Sequence, residues 1–297
     1  MISPEELNSR FPNDSIDFET GVGELTRCRI SNEQAEAEIY LHGAHVTHFQ
    51  PKGLEPVLWM SSEAVFHPAK AIRGGIPICW PWFGQNAEQP DFPQHGFARI
   101  NEWNVRAVLE SDEATDILLG LTPHEGTREY LDGSYDARYR ISIGESLTVE
   151  MSVTNTGEHD LVEIGCALHT YFSVSAIENI HIDGLVGHEF LDQLTGSRST
   201  ETDLIRFREE FDRVYFGSPE KITLQDGKER SLSITSNGSK STVIWNPWVD
   251  KSQRMGDFPD DGFQKMVCIE SANAYDDTRT IGPGETHSVS QTITPIR

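Results

Sequence analysis

The chain has 297 residues, 37% of them hydrophobic and 24% charged, enough apolar content to bury a large core and too much for a disordered chain. Its formal net charge of −23 argues against binding to nucleic acid or to anionic membrane surfaces. No run approaches the length of a membrane span, and the first residues lack the charged-then-apolar pattern of a secretory leader, so a cytoplasmic protein is expected. Cys28, Cys79, Cys166 and Cys268 are scattered among apolar neighbours without a close pair. That predicts reduced core thiols rather than disulfides or a metal site.

Residues 1 to about 34 are polar and acidic, with a short helix expected from Ser3 to Arg10 and an edge segment after it. Ala37 to Phe49 alternates as a strand pair bent at Gly43. Its histidines, His42, His45 and His48, look like a metal triplet, but on a strand His45 points away from the other two, so no metal is expected there. Next comes the densest stretch, Arg73-Gly74-Gly75-Ile76-Pro77-Ile78-Cys79-Trp80-Pro81-Trp82-Phe83-Gly84. Its glycines and prolines exclude a helix and a central strand, which predicts an ordered loop with the apolar content of a core. Tryptophans beside an arginine suit the wall of a sugar site, because sugar C–H faces lie on aromatic rings and sugar hydroxyls accept from guanidinium. A plug closing one end of a sandwich is the alternative, and the stretch alone leaves both open.

Gln94-His95-Gly96-Phe97-Ala98-Arg99 is a second glycine-containing segment, and strand signals dominate after it. Asp116 to Thr122 is apolar and ends at Pro123; Ala137 to Ile143 and Leu147 to Val153 alternate around a turn at Gly144 and Glu145. Leu232 to Ile234 and Thr242 to Trp245 flank Asn237-Gly238, a hairpin signal, and Lys265 to Ser271 and His287 to Ile296 close the chain. Many short strands without βαβ alternation predict an antiparallel β-sandwich or barrel. No linker or repeat interrupts the pattern, so one domain over residues 1–297 is expected.

Two polar residues sit in apolar strand-like runs: His169 in Leu168-His169-Thr170-Tyr171-Phe172 and Glu270 in Val267-Cys268-Ile269-Glu270-Ser271. A carboxylate buried in such a run needs a partner or a task. A structural ion pair for Glu270 and a hydrogen-bonded core imidazole for His169 are the plain alternatives. Together the two form a carboxylate base and an imidazolium acid suited to proton transfer near neutral pH. Arg73, His95, Arg99 and Asp212 are further candidates. The sequence holds no phosphate-gripping glycine loop before a helix, dinucleotide fingerprint, nucleophile elbow or HExxH motif, which points away from nucleotides, redox cofactors and metallohydrolysis.

Taken in order, Arg73-Gly74-Gly75-Ile76-Pro77 through Trp80-Pro81-Trp82-Phe83-Gly84, His95-Gly96-Phe97-Ala98-Arg99, Leu168-His169-Thr170-Tyr171-Phe172, Asp212-Arg213-Val214-Tyr215 and Cys268-Ile269-Glu270-Ser271 resemble the motifs of the hexose-6-phosphate mutarotases. These glucose-6-phosphate 1-epimerases are relatives of the aldose 1-epimerases. The resemblance implies an all-β, antiparallel β-sandwich of the galactose-mutarotase type that needs no cofactor or metal. It also implies His169 as general acid and Glu270 as general base, His95 and Asp212 on sugar hydroxyls, and Arg73 and Arg99 near the phosphate. A small phosphosugar is then the expected partner, with no nucleic acid or membrane, and the protein is expected to act as a monomer. Met255 to Gly262 also looks family-like, as an ordered loop without an assigned role. The competing functions are an aldose 1-epimerase acting on unphosphorylated sugars, a non-catalytic carbohydrate-binding sandwich using Trp80 and Trp82, and a glycosidase. A glycosidase would need Glu270 and Asp212 across a scissile bond and would leave His169 without a role.

Overall fold

Alternating side chains build most of the structure, a computed structural model that describes residues 2–131, 134–159, 162–227 and 230–296. Tyr135–Ile143 and Leu147–Asn155 bury every second residue and pair antiparallel from Tyr135 against Asn155 to Ile143 against Leu147. They lie in an eight-stranded sheet whose order is Ile180–Asp183, Ile222–Asp226, Arg230–Asn237, Thr286–Ile296, Leu147–Asn155, Tyr135–Ile143, Thr115–Leu121 and Asn104–Glu110. A second sheet runs Arg198–Thr200, Glu189–Asp192, Phe211–Phe216, Ser241–Asn246, Met266–Asn273, Cys166–Leu168 and Ile78–Cys79, with Tyr171–Ser173 also paired to Met266–Asn273. The named pairings are antiparallel, as expected of a sandwich of this class. One contiguous buried cluster extends from Leu7 to Ile293.

The N-terminal helix forms at Pro4–Arg10, where the Ser3 hydroxyl accepts from the Glu6 amide at 3.3 Å and Leu7 is buried. Ile16–Thr20, Thr26–Ser31, Ala35–Tyr40 and His45–Pro51 follow as a separate four-stranded sheet. The expected bend at Gly43 is present, with Gly43 and Ala44 at φ 74° and 49° between the last two strands. All four cysteines are free and buried.

Two expectations need correction. Ser241–Asn246 does not form a hairpin with Arg230–Asn237, because the two strands lie in different sheets. Gly238 does turn the chain at φ 74°, but Arg230–Asn237 pairs with Ile222–Asp226 and Thr286–Ile296, while Ser241–Asn246 pairs with Phe211–Phe216 and Met266–Asn273. An Asn-Gly pair specifies a tight turn; the available ladder partners specify where the next strand lands. The stretch from Arg73 to Gly84 is also not wholly loop. Ile78–Cys79 forms a two-residue edge strand against Cys166–Leu168, with Pro77 and Pro81 just outside it, where no ladder donor is lost.

The strand that positions the site is Met266–Asn273, all eight residues of which are buried. Its Ile269 and Ser271 side faces the other large sheet. There Gln291 donates to the Ile269 carbonyl and the Ser271 hydroxyl, both at 3.0 Å, and accepts from the Thr170 hydroxyl. Period-two alternation therefore turns Cys268 and Glu270 to the opposite face, away from the inter-sheet core. Gln291→Ala removes three hydrogen bonds from this buried face, with the Ser271 and Thr170 hydroxyls keeping Ser236 and the Leu168 carbonyl as partners, and is expected to cost about 1–3 kcal/mol in urea unfolding. An unchanged midpoint would show that this stitch contributes nothing.

Candidate active site

Register assembles the outer face of this sheet. Asp212 lies opposite Trp245, Trp245 opposite Cys268, and Cys268 opposite Tyr171, so the four form a row across three ladders. Glu270 stands two residues beyond Cys268 on the same side. His169 occupies the break between Cys166–Leu168 and Tyr171–Ser173, where its amide donates to the Pro77 carbonyl at 3.0 Å. Its ring stacks on Tyr171, with centroids 4.8 Å apart and planes 9° apart, and meets Trp245 edge-on at 5.9 Å.

His169 and Glu270, the two residues singled out from their strand-like runs, are thereby brought together. The His169 Nδ1 lies 3.2 Å from the Glu270 Oε1, with the carboxylate 1% exposed. Hydrogen-bond alignment is not met, so the buried Nδ1 is left without a bonded partner, as is the Glu270 Oε2. Burial pushes Glu270 well above the usual carboxylate range, Asp212 adds to the push, and the Arg99 guanidinium opposes it. Burial likewise holds His169 well below the usual imidazole range, helped by Arg99 and Arg73. The Cys268 thiol stands close by, and the donor atoms of His169, Cys268 and Glu270 lie within 4.8 Å of one another, a set that could hold a soft divalent cation. Burial raises Cys268 well above the ordinary thiol value, so a metal would first have to displace its proton.

His95 approaches from the second glycine-containing segment, its ring centroid 6.0 Å from that of His169. His95 sits at φ 63°, and Gly96 beside it at φ 73° passes so close to Trp80 that a Cβ would lie 2.0 Å from that carbonyl oxygen. The Gly84 amide donates to the His95 Nδ1 at 3.2 Å, which leaves the ring proton on Nε2. Burial, then Arg99 and His169, hold this imidazole well below its usual range. Asp212 accepts a short hydrogen bond from the Gln193 amide, and its other oxygen lies 3.6 Å from the Lys251 ammonium.

Arg73 and Arg99 line a cleft of about 420 Å³ with Lys70, Pro77 and Asp257. The Arg73 guanidinium is already engaged: its Nε lies 3.2 Å from both Asp257 oxygens and its Nη1 donates to the Tyr171 hydroxyl at 3.1 Å. Among the described residues Arg99 donates only to the Gln94 carbonyl, at 2.8 Å. Asp257 lies in the Met255–Gly262 loop, which thereby gains the role that its sequence did not reveal.

The tryptophans depart from the sugar-wall reading. Trp80 is fully buried between Phe97 and Tyr135, with ring centroids 5.4 and 4.9 Å away, and acts as the plug. Trp82 stacks on Phe92 and donates to the Pro93 carbonyl at 3.0 Å, facing a different cleft. The dense stretch thus divides: Arg73 lies at the site, Trp80 in the core and Trp82 half-buried at another cleft, while Phe83 meets the His95 ring edge-on at 5.0 Å. The aromatic rings packed on His169 include Tyr171 and Trp245, which the sequence did not single out because each reads as an ordinary strand residue.

A family model for aldose 1-epimerase matches residues 26–294. The chain belongs to the aldose 1-epimerase family. Within it, a protein of Cenchrus ciliaris named "Putative glucose-6-phosphate 1-epimerase" is 38% identical over 84% of this chain and 78% of its own. A crystal structure described as a "putative mutarotase" of Salmonella typhimurium superposes with a TM-score of 0.90 at 30% identity, covering 96% and 95% of the two chains. Galactose 1-epimerase of Lactobacillus acidophilus, at 12% identity, shares the fold alone, with a TM-score of 0.71 over 95% of this chain and 98% of its own. The antiparallel β-sandwich of the galactose-mutarotase type read from the family's motifs is therefore the observed fold.

A buried carboxyl whose folded-state value lies above its ordinary 4.5 costs the fold stability as pH rises through 4.5, because ionisation is easier in the unfolded chain. Glu270→Gln is accordingly expected to match the wild-type Tm near about pH 4 and to exceed it at neutral pH and above. Thermal scans across pH test this, and a variant less stable at neutral pH would contradict it.

Proposed function

We propose that this protein interconverts the α and β anomers of a hexose 6-phosphate, with glucose 6-phosphate the expected substrate. Glu270 takes the proton from the C1 hydroxyl while His169 protonates the ring oxygen. The C1–O5 bond breaks, the aldehyde end turns about C1–C2, and reclosure on the other face returns both protons. His95 and Asp212 hold sugar hydroxyls, and Arg73 and Arg99 hold the phosphate. The observation that carries this reading is the buried, incompletely bonded His169–Glu270 pair. It is linked through Tyr171 to an arginine-lined cleft. The relatives' names support the phosphosugar, and the two arginines favour it over an unphosphorylated aldose.

The pair needs one shared proton and no covalent step. General acid–base assistance of this kind is worth about 10²–10⁴-fold per group, and holding the open chain near reclosure geometry adds to it. His169→Ala and Glu270→Gln are each expected to lower anomer exchange by about 10²-fold or more while the protein still folds. Near-normal turnover in either variant moves that proton elsewhere.

For the phosphate, Arg99→Ala is the cleaner test, since Arg73→Ala also strips Asp257 of its partner and should lower Tm. Losing a guanidinium contact to phosphate costs about 1.5–3 kcal/mol of binding. Arg99→Ala should therefore depress kcat/KM for glucose 6-phosphate far more than for glucose. Equal losses on the two sugars would favour an aldose 1-epimerase of unphosphorylated sugars instead.

A further inference from the structure

Three cations, Lys70, Arg73 and Arg99, line the cleft beside the His169–Glu270 pair, against the single carboxylate of Asp257. They leave an excess of two positive charges in one small cleft of a chain whose net charge is −23. The exposed ammonium of Lys70 has no carboxylate within 4.0 Å among the described residues, whereas Arg73 is held by Asp257 and Tyr171. That leaves its ammonium open to an anion entering the cleft.

Its backbone is not left to chance. The turn from Leu41 to His45 braces all three cation-bearing segments. The His42 Nε2, in a ring only 4% exposed, donates to the Lys70 carbonyl at 2.8 Å. The fully buried His45 donates through its Nε2 to the Gly74 carbonyl, next to Arg73, at 2.7 Å. Gly43 between them lies so close to the Arg99 backbone that a Cβ would sit 2.8 Å from its carbonyl oxygen. Burial holds the His45 ring near a value of about 3, so it stays neutral and keeps its Nε2 proton on that carbonyl. Two of the three histidines that resemble a metal triplet in sequence, His42 and His45, are instead fasteners. They fix the bases of three cations whose side chains meet in one cleft.

We infer that Lys70 is a third phosphate-binding residue, which with Arg73 and Arg99 recognises the dianionic phosphate of the substrate. This rests on the phosphosugar reading above and adds to it a residue and a charge state. Two excess positive charges match a phosphate above its second ionisation, near about pH 6, better than they match a monoanion. An ammonium supplies a point charge where the guanidinium groups supply directed pairs of donors.

The test uses the full-length protein and measures anomer exchange on glucose 6-phosphate and on glucose for the wild type, Lys70→Met and Lys70→Arg. Lys70 is exposed, so the Met variant should fold, and its Tm checks this. The expected result is about a tenfold fall in the kcat/KM ratio of glucose 6-phosphate to glucose in Lys70→Met, carried by KM rather than kcat. Lys70→Arg should recover most of it. The wild-type KM for glucose 6-phosphate should also fall as pH rises through about 6, and fall less in Lys70→Met. An unchanged ratio in Lys70→Met, or an equal loss on both sugars, overturns the assignment. If Arg99→Ala lowers the ratio and Lys70→Met does not, the lysine assignment alone fails. If neither lowers it, the phosphosugar reading fails with it.

Discussion

The site is built around the buried approach of His169 to Glu270, Nδ1 3.2 Å from Oε1, where the proposed reaction needs one proton. In water an imidazole at 6.5 outcompetes a carboxyl at 4.5 by about 2.7 kcal/mol, so the proton would rest on the histidine. Burial moves the two groups toward each other, raising the carboxyl and lowering the imidazole. Ring opening as proposed takes the pair from carboxylate and imidazolium to carboxyl and imidazole, and reclosure takes it back. A pair whose proton affinities are drawn toward each other in this way is suited to both halves.

The sandwich supplies what such a pair requires. Gln291 ties the back of the Met266–Asn273 strand to the facing sheet, so Glu270 projects from a strand fixed on its other side. The row of Asp212, Trp245, Cys268 and Tyr171 flanks the pair on one side, and the His95 ring stands on another. The Glu270 Oε2 is thereby left buried and unbonded, a group better satisfied by a substrate hydroxyl than by the resting protein. The acidic surface does not defeat the cationic cleft. Remote charges are screened over about 8 Å at physiological ionic strength, while cations lining the cleft act at contact distance.

How much of this was legible in the sequence follows from which interactions are local. Alternation set the strands from Tyr135 to Asn155 and the apolar run around Glu270, because burial on a pleated sheet has period two. It could not assign strands to sheets, and so Asn237-Gly238 was read as a hairpin when the chain crosses the sandwich there. His169 and Glu270 stood out because a polar group inside an apolar run is costly wherever it lies. Lys70, Asp257, Gln193 and Lys251 gave no such signal, since an exposed or half-buried charge in a loop is ordinary until the fold shows what it faces. Trp80 and Trp82 misled for the opposite reason, as composition reports that a ring will be covered but not by what.

The most direct test is anomer exchange by magnetisation-transfer NMR on the purified protein, with glucose 6-phosphate and glucose run in parallel. The account predicts acceleration of both exchanges through the same proton pair, with a much higher kcat/KM for the phosphosugar. No acceleration of either sugar would contradict the assignment of the pair as acid and base, and equal efficiency on both would contradict the role given to the cationic cleft.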